Sequence, residues 1–261
     1  MPNVKTMPNT RAATDANKWL VRAICAAADR GDPSAMGSLV DPAAVDHDPG
    51  TGAFEALTGG LGPIRTQLGP ILADGDRVAC ARRIGSAAAI SWLRMDEEER
   101  ADTHWGLLAE PVRGGGAPPP RLGDGMVPRG SASSPEDNRA FMASAMEMLD
   151  AGEPGAFCSL VHEACVTHAR MPGREGIRRR LEEFLGAFDD AEFAVIDQLA
   201  EGDLVSGRYE FSARHTGPWH GRAPEGRVVS VTVMDMARIR DGQIVEYWVV
   251  TDTASLRRQL S

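Results

Sequence analysis

Apolar positions recur along this chain in two rhythms, one at every third or fourth residue and one at every second. The stretch "GIRRRLEEFLGAF" puts Ile177, Leu181, Phe184, Leu185 and Phe188 on one stripe, which predicts a helix with a packed face. Alternation then takes over and predicts four strands, roughly Glu192–Leu199, Leu204–His215, Arg227–Ile239 and Gln243–Thr251. Short turns, "AEGD" and "RDGQ", and a longer Gly/Pro-rich connection join them. The last of these strands, in "DGQIVEYWVVTD", follows an Asp-Gly hairpin turn and is apolar on both faces, so it belongs in the middle of a buried sheet. Upstream, an amphipathic helix, a second helix after Gly-Glu-Pro and a short strand ending in a histidine precede the stripe. A terminal "SLRRQL" helix closes the unit. Helices packed on one side of a curved antiparallel sheet make an α+β cone.

The chain carries this pattern twice. "NKWLVRAICAAADRGDPSAMGSLVDPAAVDHDPG" from Asn17 aligns without a gap on "NRAFMASAMEMLDAGEPGAFCSLVHEACVTHARM" from Asn138, pairing His47 with His168. "LADGDRVACAR" at Leu72 matches "LAEGDLVSGRY" at Leu199, and Trp105 matches Trp248. A register kept over the first third and recovered twice later marks a tandem repeat. The segment from Asp76 to Trp105 spans 29 positions against 45 from Asp203 to Trp248, so the first copy lacks most of the long hairpin. The expected organisation is a disordered tail over 1–13, a degenerate cone domain over 14–110, a Gly/Pro-rich linker over 111–134 and a complete cone domain over 135–261. The two cones would form a pseudo-dimer within one chain.

Composition narrows the partners. A net charge of -9 and a pI near 5.2 offer no basic stripe for nucleic acid or an anionic membrane. No run approaches the roughly 20 apolar residues of a membrane span, and the N-terminus lacks the apolar core of a signal peptide. A soluble cytoplasmic protein is expected, as a monomer or a homodimer. Cys25, Cys80, Cys158 and Cys165 have no C-x-x-C spacing and read as buried hydrophobes, and no metal site or organic cofactor is expected. Asp46, His47 and Asp48 are adjacent on a strand and alternate in direction, which argues against a three-ligand cluster.

Strand parity singles out candidate site residues. On Arg227–Ile239, Val229, Val231, Val233, Asp235, Ala237 and Ile239 share a face, so Asp235 interrupts an apolar row. A carboxyl buried there costs free energy unless paired, and desolvation raises its pKa into the range useful for proton transfer. It is either an acid/base or a structural aspartate bonded to backbone or to an arginine such as Arg208. On the neighbouring strand Val205, Gly207, Tyr209, Phe211, Ala213 and His215 share a face, which gives a ligand wall of Tyr209 and Phe211 with His215 at its end. Trp219, in "GPWHG", is placed as a lid, and His168 ends its strand in line with Ala164 and Val166, facing inward.

The segments "VHEACVTHARMPGREGIRRRL", "LAEGDLVSGRYEF", "RHTGPWHGRAPEGR", "ARIRDGQIVEYW" and "TDTASLRRQL" resemble the SnoaL-like polyketide cyclase and ester cyclase branch of the nuclear transport factor two-like superfamily. The resemblance covers most of Asn138 to Ser261. It implies a cofactor-independent cone that turns Tyr247 and Val249 toward a cavity for a hydrophobic carbonyl compound. It also implies an acid/base aspartate just after Trp248, where this chain has Val249, and Gly106 in the first copy. Asp235 falls where some of these cyclases carry an active-site histidine. The expected function is a cyclase or isomerase acting on a polyketide-like carbonyl substrate, with Asp235, His215 and Tyr247 catalytic and His168, Trp219, Tyr209, Phe211 and Val249 binding substrate. The alternative is a non-catalytic protein that sequesters a hydrophobic small molecule.

Overall fold

The structure is a computed structural model, and it describes residues 10–59, 66–85, 87–109, 127–168 and 173–261. The first domain runs α1 (Thr10–Arg30), α2 (Pro33–Leu39), β1 (Val40–Asp46), α3 (Ala53–Thr58), β2 (Thr66–Asp74), β3 (Arg77–Ile84), β4 (Ala87–Met95) and β5 (Ala101–Leu108). The second runs α4 (Pro135–Asp150), α5 (Pro154–Ser159), β6 (Val161–Thr167), α6 (Gly173–Leu185), β7 (Phe188–Glu201), β8 (Leu204–His215), β9 (Val228–Arg240), β10 (Gln243–Thr251) and α7 (Thr253–Gln259). Most of the expected linker, and 1–9 of the expected tail, lie outside the described residues.

Local chemistry sets these boundaries. Asp32, Ser134 and Asp252 each accept a hydrogen bond from a backbone N–H in the first turn of α2, α4 and α7, at 3.0, 3.1 and 2.8 Å. Proline opens α2 and α4. Asp252, a polar residue closing an apolar strand, is thus a helix cap. At the hairpin before β10, Asp241 and Gly242 both take left-handed angles (φ 48° and 69°), as a tight type I′ turn requires.

Each domain has a five-stranded sheet of the same order, β1-β5-β4-β3-β2 and β6-β10-β9-β8-β7. The sheets are mixed where the sequence reading expected antiparallel ones. The five strands alternate in direction along the chain, so the first and fifth run the same way, and β1 with β5 and β6 with β10 pair in parallel. The copies differ in the hairpin. β3 and β4 end at Ile84↔Ala87, whereas β8 and β9 are longer and are joined through 216–227.

The two sheets pack face to face, in an arrangement consistent with a tandem pseudo-dimer. Ala79, Ala81, Ile90 and Trp92 from the first domain meet Leu204, Met234, Met236 and Trp248 from the second in one buried cluster. Lys18 and Glu201 (2.5 Å), Arg77 and Asp197, and Arg139 and Asp74 form ion pairs around its rim. Partly exposed pairs of this kind add little stability, and the apolar layer carries the association.

Candidate functional site

The inner face of the second sheet is covered by α4, α5 and α6, and its core includes Phe157, Phe188, Phe211, Val231 and Val233. Asp235 lies in this apolar row, 1% exposed. Its Oδ1 accepts from the Gly207 N–H at 2.9 Å and from the Tyr209 hydroxyl at 3.3 Å, and its Oδ2 accepts from the Tyr247 hydroxyl at 3.2 Å. Burial raises its pKa from the ordinary 3.8 to about 7, against the lowering effect of those three donors. Burial and the nearby carboxylate hold both phenols well above their ordinary range, so they stay protonated donors. The group can take or give one proton near neutral pH.

Three strands build this group. The register aligns Gly207, Asp235 and Val249 across β8, β9 and β10. Tyr209 reaches back over Gly207, where an added Cβ would lie 2.0 Å from the phenol oxygen. Gly207→Ala is therefore expected to push the Tyr209 hydroxyl off Asp235 and shift the carboxyl's titration, readable by NMR of a sample labelled at aspartate. An unchanged titration would mean that Tyr209 does not act on the carboxyl.

Sequence reasoning missed Arg180. It sits on α6 between Ile177 and Phe184, within the stripe that packs inward, and its charge acts on the Tyr247 hydroxyl. Burial pushes its own pKa down. A charge on an apolar helical stripe was the available signal.

His215 is not part of the Asp235 group. It stands eight positions beyond Gly207 on the same face of β8, about 26 Å along an extended strand. It is 1% exposed, neither ring nitrogen has a hydrogen-bond partner among the described residues, and its ring lies 5.4 Å from that of Phe188. Trp219, 5% exposed, packs edge-on against the same Phe188 at 6.0 Å. Its loop is tied to the C-terminus by a 2.5 Å hydrogen bond from Arg222 Nη1 to the Leu260 carbonyl. Val249 is half-buried against the inner core.

His168 lies on the opposite face of the sheet, between the domains. Its ring stacks on Trp248 at 3.5 Å, Arg83 of the first domain donates to Nδ1 at 3.1 Å, and Nε2–H donates to Glu246 at 3.1 Å. Arg238 donates in turn to Glu246 at 3.0 Å. The sequence reading chose the wrong face of β6, whose core side is Val161 and Cys165. A register shift between Ile244 and Glu246 likewise brings Ile244 into the inner core on the side of Tyr247, against simple alternation.

A hydrogen-bonded path crosses the domain boundary to the site. Trp92 Nε1 of the first domain donates to Ser206 Oγ at 2.9 Å, and Ser206 Oγ donates to the Asp235 carbonyl at 2.6 Å.

Comparison with known proteins finds similarity over about half of this chain. Solved structures similar to it include AclR from Streptomyces galilaeus, 24% identical over 49% of this chain and 97% of its own, with a TM-score of 0.46. TsrD from Streptomyces laurentii is 26% identical over 49% and 98%, with a TM-score of 0.46. IdmH from Streptomyces antibioticus is 28% identical over 49% and 99%, with a TM-score of 0.43. No curated protein matches. It is the second domain, residues 137–260, that matches the family described as SnoaL-like polyketide cyclase.

Proposed function

We propose that the second domain is a cofactor-independent cyclase or isomerase acting on a polyketide-like carbonyl compound by acid/base catalysis. One observation carries this reading: a fully buried carboxyl with its pKa raised to about 7, held between two phenols and a backbone N–H on an otherwise apolar wall. Asp235 as carboxylate removes a proton from the carbon next to a carbonyl. The Tyr247 hydroxyl, held neutral, turns to the developing enolate oxygen, and the Arg180 charge strengthens it as a donor. Attack of the enolate carbon on a second carbonyl forms a ring, and the alkoxide left on that carbonyl oxygen takes the proton back from Asp235; return of the proton to carbon instead gives an isomer. Tyr209, Phe211 and Val249 hold the ligand body. His215, whose two ring nitrogens have no partner among the described residues, holds a polar group at its far end, and the Trp219 loop opens for entry.

A second reading, a binding protein that sequesters such a compound, rests on Val249, the apolar register partner of Asp235 at the place where the resemblance expects the catalytic aspartate. Incubation with a β-diketone probe in deuterated water separates the two. Deuterium enters the α-carbon if Asp235 works as proposed, and Val249→Asp raises that rate. Tight binding without exchange leaves the sequestering protein.

A further inference from the structure

The first domain carries a polar cluster at the positions that hold the Asp235 group in the second. Cross-strand register aligns Cys80, Ser91 and Gly106 as it aligns Gly207, Asp235 and Val249. Two residues away on the same face, Arg82 stands where Tyr209 does and His104 where Tyr247 does. Among these, Arg82, Ser91 and His104 are each 0% exposed, like Asp235 at 1%.

The cluster satisfies itself in all but one respect. Arg82 Nη2 donates to Ser91 Oγ at 3.0 Å and to the Ala53 carbonyl at 2.6 Å. With that contact made, the Ser91 hydroxyl donates to His104 Nε2 at 3.0 Å, and His104 Nδ1–H donates to Asp46 at 2.8 Å. What remains is Arg82 itself: among the described residues its Nε and Nη1 are buried without a partner, and it makes no ion pair with any of them. Asp46 is engaged through the far side of His104. The neighbouring thiols of Cys25 and Cys80 are pushed up by burial and stay neutral, so neither serves as counter-ion. A guanidinium taken fully out of water with its charge uncompensated and two nitrogens left without acceptors is strongly unfavourable.

We propose that the inner face of the first domain is a second ligand site, for an organic monocarboxylate, with Arg82 as its ionic partner. One positive charge calls for one negative charge, and the planar guanidinium suits a planar carboxylate. The organic body follows from the apolar packing on this face, where Leu57, Cys80 and Leu93 are each at most 1% exposed and Phe54 tilts against His104 at 5.0 Å, so that a ligand would have to enter by displacing core side chains. The second domain offers a neutralisable acid to a carbonyl compound, and the first offers a fixed cation to an acid.

The test is a titration of the full chain with 4-fluorobenzoate followed by fluorine NMR, alongside uncharged 4-fluorobenzamide. Saturable binding of the benzoate and none of the amide is expected. Affinity should fall at least tenfold in Arg82→Met and stay unchanged in Asp235→Asn, which separates this site from the one proposed above. With no anion present, Arg82→Met should unfold at the same temperature as the wild type or higher, since it removes an unpaired buried charge, and benzoate should raise only the wild-type midpoint. Should Arg82→Met not fold, Ser91→Ala with the charge intact is expected to keep benzoate binding. No saturable binding by the folded wild type overturns the proposal, as does binding indifferent to Arg82. Saturation by chloride with no gain from the benzoate overturns the organic-acid assignment. Covalent labelling of Ser91 by a fluorophosphonate, lost in Ser91→Ala, replaces the binding site with an acyl-transfer centre built on Ser91, His104 and Asp46.

Discussion

On the acid/base mechanism proposed above, replacing Asp235 with asparagine is expected to abolish turnover in the second domain while leaving ligand affinity within about tenfold, or ~1.4 kcal/mol. The amide keeps the size and one acceptor oxygen for the Gly207 N–H and the Tyr209 hydroxyl but cannot exchange a proton near neutral pH. The same variant should be the more stable protein in alkaline solution. The folded pKa of Asp235, about 7, lies above its ordinary value of 3.8, so the neutral carboxyl is favoured by folding. Stability from this group is complete below about pH 4 and is lost as pH rises through 7. The loss is at most about 4 kcal/mol for a shift of this size. Asparagine has no charge to bury, so urea unfolding at pH 4, 6 and 8 should show the variant gaining on the wild type as pH rises. Product formed at the wild-type rate by Asp235→Asn would remove this residue from the mechanism. A constant stability gap across the three pH values would mean that the carboxyl is ionised in the native state with little penalty.

Trp248→Ala should cost about 3–5 kcal/mol, the range for truncating a large buried aromatic. The indole is 1% exposed, stacks on His168 at 3.5 Å and donates to Glu246 at 3.2 Å. Its far edge fills a notch in the first domain, where a Cβ added at Gly69 would come within 2.8 Å of the ring. Loss of the side chain opens a cavity between the sheets that two rigid layers cannot close. The complementary measurement is the behaviour of 135–261 alone, whose Leu204, Met234, Met236 and Trp248 would face water and drive self-association. A monodisperse, fully stable second domain, or a Trp248→Ala loss under 1 kcal/mol, would show that the interface contributes little.

How far the sequence could be read depended on the kind of information each feature needs. β9 was legible because Val229, Val231, Val233, Ala237 and Ile239 fall at every second position on either side of Asp235, which puts Asp235 on the core face by parity alone. β6 was not, because "VHEACVT" has no clean alternation and only the packing of Val161 and Cys165 chooses its inner side. The register shift at Ile244 and Glu246 is a tertiary feature with no local marker. Parallel pairing within each sheet depends on which strand lies beside the last one, and nothing within a single strand encodes that. The first-domain cluster was harder still. Asp46, Arg82, Ser91 and His104 come from four different strands, and each looks ordinary until the register places them side by side. Arg180 was within reach, since it falls on the packed stripe of its helix.

Ser91 and Trp92 are neighbours on β4, one facing Arg82 inside the first domain and the other reaching through Ser206 to the main chain of Asp235. The two polar groups are therefore connected through β4 and two hydrogen bonds. Occupancy on one side that displaces β4 must do work on the other, and thermodynamic reciprocity makes that influence equal in both directions for binding free energies. Titrating the Asp235 carboxyl with and without an occupant on Arg82 would measure the exchange as a shift in one proton's affinity, with Trp92→Phe as the variant that cuts the link.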